Sequence, residues 1–256
     1  MQLDGLAHAQ GCINDGLRLR PNTSCNDLIG LAGCVPPPPA PGAVEQGRAL
    51  FVSREMSPSA HNVFSCASCH DVVPPGSGAP IKTGALLAGA TRRPSFWGAQ
   101  TDDLLAAIDV CRSQFMLATA PLEASSAEAA ALCAFLAALE PGDPDAAAFT
   151  IVRTIDELPR GDAASGAALF GRTCAACHGE AHTANGRLAA RVPVLPDQTL
   201  RDHAAYDPRS QRLIFIEKIR HGGFLGYGGD MPPFSAERLS DEDVSDVLEA
   251  LGVLGV

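Results

Sequence analysis

The sequence predicts a mainly α chain of two similarly planned domains, and three observations carry that prediction. A pattern recurs: Gly47-Arg48-Ala49-Leu50-Phe51 precedes Cys66-Ala67-Ser68-Cys69-His70, and Gly166-Ala167-Ala168-Leu169-Phe170 precedes Cys174-Ala175-Ala176-Cys177-His178. Such self-similarity marks a duplicated structural unit. Apolar residues return at helical spacing behind capping residues, whereas the strict alternation of a strand is scarce. The chain has 256 residues, 46% of them hydrophobic, enough for two ordinary domains.

The elements follow in order. Residues 35–41 are nearly all proline, a stiff connector between a Cys-containing N-terminal extension, 1–41, and a first domain over 42–145. In that domain Thr101 is placed to cap a helix over 101–111, with Asp102 and Asp103 complementing its N-terminal dipole. Ser125 with Glu128 makes a capping box for a helix striped by Leu132, Phe135, Leu136 and Leu139. Residues 140–145, with two prolines and a glycine, end the domain, and 146–159 link it to a second over 160–256. There Asp207 and Pro208 start a helix running to about residue 219. Ser240 caps a last helix whose buried face is Val244, Val247, Leu248 and Leu251.

Composition narrows the function. A net charge of −10 argues against nucleic acid as a partner and leaves small molecules or basic protein surfaces. No apolar run reaches the roughly 20 residues of a membrane-crossing helix. Aromatics are only 5% of the chain, beside 25 glycines and 20 prolines, so something other than aromatic side chains must fill the cores. Nine cysteines are unusual in a reducing cytosol unless they bind metal or do chemistry. Residues 1–11 have neither a basic n-region nor an apolar h-region, and the expectation is the processed form of an exported, periplasmic protein.

The recurring Cys-x-x-Cys-His spacing does a defined job. Two thiols add across the vinyl groups of haem, and the adjacent histidine reaches the iron. From this composition roughly 0.01 matches are expected by chance, and two are present. A zinc site would need four ligands, and the flanks supply no second pair in register. The motifs therefore call for two covalently bound haem c groups, one on Cys66, Cys69 and His70, the other on Cys174, Cys177 and His178.

Across residues 42–140 and 160–256 the sequence resembles the class I c-type cytochromes, twice over. The resemblance implies two tandem domains of that fold, each with an N-terminal helix crossing a C-terminal helix and a methionine on a late loop as distal iron ligand. That methionine is Met231 in the second domain, within Gly228-Gly229-Asp230-Met231-Pro232-Pro233-Phe234. In the first it is Met116, within Cys111-Arg112-Ser113-Gln114-Phe115-Met116, where the family's Met-Pro pair is absent. Arg93-Pro94-Ser95-Phe96 pairs with Arg191-Val192-Pro193-Val194-Leu195, and the regions of Pro94 and Pro193 are expected to offer a carbonyl to the second nitrogen of each proximal histidine. Arg92, Arg93, Arg187 and Arg191 stand where the family places partners for haem propionates, with a solvated surface role as the alternative for each. Trp97 is expected to line the first pocket. The aromatic of the C-terminal helix is Phe135 in the first domain and is replaced by Leu248 in the second.

With histidine and methionine on both irons no position is open to substrate, so the resemblance implies electron transfer between redox proteins; the acidic last helix reads most simply as a solvated face, with steering of a basic redox partner as the alternative. Three alternatives stand beside it. Cys111 competes with Met116 as ligand, which would make the first site the centre of a thiosulfate dehydrogenase-like oxidoreductase, with Arg92, Arg93 and Arg112 drawing the anion; the competing expectation is a disulfide to Cys133. A peroxidase is suggested only by the resemblance of Arg93-Pro94-Ser95-Phe96 to a loop of that family. A subunit of a larger respiratory complex is the third, with Cys12, Cys25 and Cys34 stapling a docking arm. Cys12 follows a poor lipobox. Met56 is misplaced by order as a ligand, His61 is the reserve for Met116, and His182, His203 and His221 are expected at the surface or behind the ligands.

Overall fold

Each half is organised by a glycine in the middle of its first helix. In the computed structural model, which describes residues 40–139, 149–150, 152–223 and 229–254, helix α1 (Ala43–Val52) crosses α4 (Ala127–Ala138) at Gly47. A Cβ at Gly47 would lie 2.6 Å from Phe135 Cβ and closer still to Ala131 O, so only glycine permits the contact. Phe51 and Phe135 meet beside it, ring centroids 5.4 Å apart. In the second half α5 (Ala163–Thr173) crosses the last helix, α9 (Asp241–Ala250), at Gly166, whose missing Cβ would overlap Asp246 O. Phe170, Val244, Val247, Leu248 and Leu251 are buried there, so Leu248 fills the aromatic's place.

The remaining helices range from a single turn to 14 residues. After α1 comes α2 (Cys66–Cys69), then α3 (Leu104–Gln114). After α5 come α6 (Ala175–His178), α7 (Asp197–Asp202) and α8 (Pro208–His221). Among the described residues there is no strand, only an isolated bridge between Phe96 and Thr101. No helix among them is long and apolar enough to cross a membrane.

Two caps differ from expectation by one or two residues. Asp103, not Thr101, caps α3, because its carboxylate reaches both Leu105 N and Ala106 N; Thr101 Oγ1 accepts from Asp103 N instead. Ser126, not Ser125, caps α4 through Ala129 N, and no capping box with Glu128 forms. Asp207 and Ser240 cap α8 and α9 as expected, the latter reciprocally with Asp243.

The described residues between the two halves pack on both. Phe149 meets Trp97 of the first edge-on at 5.5 Å, while Ile155 and Leu158 pack on the second core and Thr150 N donates to Glu237 at 2.9 Å. The predicted N-terminal extension with Cys12, Cys25 and Cys34, and the domain end at 140–145, lie outside the described residues.

The acidic face of α9 is largely committed within the fold. Asp241 pairs with buried Arg220, Asp243 caps the helix, Asp246 accepts from Asp162 N, and Glu249 pairs with Arg160. Glu237, just before the helix, holds Thr150.

Candidate haem sites

Each Cys-x-x-Cys-His run folds around one turn of helix after the first helix of its half, at once in the second half and beyond residues 53–65 in the first, and each histidine is oriented the same way. His70 Nδ1 lies 2.8 Å from Ala85 O, and His178 Nδ1 lies 3.1 Å from Pro193 O. Both acceptors stand fifteen residues beyond the histidine. An Nδ1–H donated to a carbonyl leaves Nε2 with the lone pair, the tautomer an iron ligand needs. Burial pushes the pKa of both imidazoles below the ordinary value, which also favours the neutral ring. The pairing of Pro94 with Pro193 is therefore corrected. Pro94 lines the first cavity, but the carbonyl equivalent to that of Pro193 belongs to Ala85.

The first site is a cavity of about 360 Å³, within the range of cofactor pockets. Cys66, Cys69, His70, Arg93, Trp97, Cys111 and Met116 all line it. Met116 is buried among Met56, Phe64, Phe115 and Leu132, while Met56 and His61 are outside the lining. Trp97 is aimed inward by a run of left-handed backbone, with φ of 53°, 63° and 67° at residues 97 to 99, and its indole N–H donates to Ala107 O at 3.2 Å. Holding two non-glycine residues there costs roughly 1–3 kcal/mol each. Arg93 is buried, one of its nitrogens bonded to Leu86 O and its Nε without a partner. An orphaned guanidinium N–H in an apolar cavity fits a haem propionate.

Other predicted residues are placed differently. Arg92 is exposed and outside the lining. Arg112 lines the cavity, but its Nε donates to Met56 O and one terminal nitrogen to Asp109 and Ala120 O. Cys111 is a free thiol, which corrects the expected bridge: Cys133 is disulfide-bonded, but not to Cys111. Burial pushes the Cys111 thiol well up, and the neighbouring Cys66 and Cys69 add to the shift.

In the second site Met231 and Cys174 pack against the same core cluster. Arg191 pairs with Asp230 and Gly223 N donates to Met231 O at 2.8 Å, which fixes the methionine segment from both sides. Arg187 is turned to its own loop, donating to Val192 O at 2.8 Å and Ala190 O at 3.2 Å, with Nε buried and unpartnered. His182 and Asp197 form an exposed pair, His203 Nδ1 faces Thr199 O, and His221 is buried against Glu217 and Val152 O. Among the described residues no group of three or more His, Cys, Asp or Glu is placed to hold a bare metal ion.

Residues 161–249 match the family described as Cytochrome C oxidase, cbb3-type, subunit III. This segment is a cytochrome c domain. No curated protein matches the chain significantly. A cytochrome c domain implies a covalently bound haem c, and the residues of 161–249 fit one: paired thiols on one helical turn, a histidine of the right tautomer and a methionine on the same core. Burial pushes the Cys174 thiol up to about 11.

Several residues of the first site had no motif to announce them. Gly84 packs on the His70 ring, where a Cβ would overlap Nδ1 and Cε1. Lys82 Nζ donates to His70 O at 3.1 Å and pairs with Asp71 at 2.8 Å. The fifteen-residue spacing from each histidine was the available signal. Gly84→Ala is expected to turn the His70 ring off Ala85 O; proton NMR or the visible spectrum of the haem-loaded protein reads this as altered proximal ligation at one centre. An unchanged spectrum would show that the ring tolerates the methyl.

Proposed function

We propose that the chain is a di-haem c-type cytochrome that passes electrons between redox proteins in the periplasm. In this reading one haem c is held by Cys66 and Cys69, the other by Cys174 and Cys177. The supporting observation is the doubled histidine arrangement, in which His70 and His178 each present Nδ1 to a carbonyl fifteen residues on. Iron bound there supplies a one-electron couple whose potential a thioether ligand raises. The chain's own residues orient it: His70 and His178 from the proximal side, Met116 and Met231 from the distal side, and Arg93 toward a propionate. The two attachment segments are neighbours, which suits a relay. Burial pushes the Cys69 thiol up to about 11, and nearby Cys177 adds to that shift.

The decisive measurement is the mass of the unfolded, unreduced protein. Two covalently attached haems are expected; a paired Cys66→Ser, Cys69→Ser variant should lose one, and Cys174→Ser, Cys177→Ser the other. A single haem on the unsubstituted protein would overturn the reading.

One observation favours a second reading. Cys111, a free thiol in the wall of the first cavity, is placed to compete with Met116, and a thiosulfate dehydrogenase-like oxidoreductase would use it. Of the three arginines expected to draw an anion, only Arg93 faces that cavity with an unpartnered nitrogen. Membership of a larger respiratory complex is supported by the match of residues 161–249 to an oxidase subunit family.

A further inference from the structure

The residues that carry Met231 do not stop at the second site. Pro232 and Pro233 line the first cavity, together with Cys66, His70 and Met116. The same segment is held against the second domain at three points: Arg191 grips Asp230, Gly223 N donates to Met231 O at 2.8 Å, and Phe234 N donates to Ile219 O at 2.8 Å. Gly222 lets it lie close, since a Cβ there would sit 2.9 Å from Pro233 N. Prolines lack an N–H and hold φ nearly fixed, so residues 231–233 form a stiff slab with one domain's methionine at one end and the other domain's cavity wall at the other.

The proximal side of the first cavity is strapped to the second domain as well. Ile81 N donates to Arg172 O at 2.9 Å, Arg172 Nε to Ala79 O at 3.2 Å, and Arg238 Nε to Lys82 O at 2.8 Å. Residues 79–82 lead directly into Gly84 and Ala85, which set the His70 ring. Phe149 closes a further part of the wall against Trp97.

We propose that the first haem site is composite, its wall completed by Pro232 and Pro233 of the second domain, so that a displacement of the Met231 segment changes access to the first iron. The proposal rests on the di-haem reading and adds to it a specific pair of residues and a direction of coupling. Energetic coupling needs a physically shared element whose position both sites bias, and the Met231–Pro233 slab is such an element.

The test uses the full-length, haem-loaded protein carrying Pro232→Gly and Pro233→Gly together. Covalent haem is counted first by mass, then imidazole is titrated into the oxidised protein while the methionine-to-iron charge-transfer bands are followed. The expected result is two haems, a retained second-domain methionine band, and imidazole binding at the first centre strengthened roughly five-fold or more. Two haems with unchanged imidazole binding would overturn the composite site and leave the di-haem reading standing; fewer than two haems on the unsubstituted protein would overturn both. Should the double glycine variant fail to fold, Phe149→Ala opens the same wall from the linker, and the same strengthening or its absence decides the matter.

Discussion

Gly166→Ala is expected to lower the melting temperature of the second domain by roughly 10 °C, whereas Gly171→Ala, five residues along the same helix, should raise it by a few degrees. The two substitutions add the same methyl group to α5. At position 166 that methyl would overlap Asp246 O, so α5 and α9 must separate and the buried row of Phe170, Val244, Val247 and Leu248 loosens. Overpacking of this kind costs typically about 1–3 kcal/mol, and about 1 kcal/mol moves the melting point of a domain this size by roughly 4–8 °C. At position 171 a Cβ meets nothing within 4 Å, so only the helix propensity gain remains, up to about 1 kcal/mol. Thermal unfolding followed by circular dichroism distinguishes them. Equal melting points would mean that the helix crossing does not depend on the close approach at Gly166.

The crossing of the first and last helices entered through the family resemblance, and the repeated glycine four residues before a phenylalanine, ahead of each cysteine pair, is the local pattern on which it depends. The caps were legible to within one or two residues only. Thr101, Asp102 and Asp103 are adjacent, as are Ser125 and Ser126, and all are residue types that cap helices. What decides among them is which side chain reaches two orphan N–H groups, as Asp103 does, and that depends on where the chain turns. The histidine acceptors show a different failure. Matching Arg-Pro in one half to Arg-Val-Pro in the other aligned similar letters, whereas the fold preserves a count of residues from the histidine, which places Ala85 rather than Pro94 opposite Pro193. A backbone carbonyl carries no side-chain signature, so composition around it was a poor guide. The walls supplied by Phe149, Pro232 and Pro233 were not legible at all, because they arise from packing between segments more than 80 residues from the rest of the first cavity in the case of the prolines, and no local periodicity encodes such a meeting.

On the di-haem reading proposed above, Met116→Ala is expected to abolish one of two methionine-to-iron charge-transfer bands of the oxidised protein, halving their combined intensity, while Cys111→Ser leaves both in place. Placement favours the thioether. Met116 lies in the wall of the first cavity within a closed cluster of Met56, Phe64, Phe115 and Leu132, and its thioether needs no proton removed to act as a ligand. Cys111 lines the same wall, but only its thiolate is a strong ligand, and burial opposes loss of the thiol proton. The cation best placed in sequence to offset that, Arg112, is spent on Asp109 and two carbonyls. Loss of the thioether should also lower the potential of the first couple, because thioether ligation favours the reduced iron, and spectroelectrochemical titration reads that change directly. A thiolate signature in the unsubstituted protein that disappears with Cys111→Ser would reverse the assignment, and with it the choice between a closed relay and a first site open to chemistry.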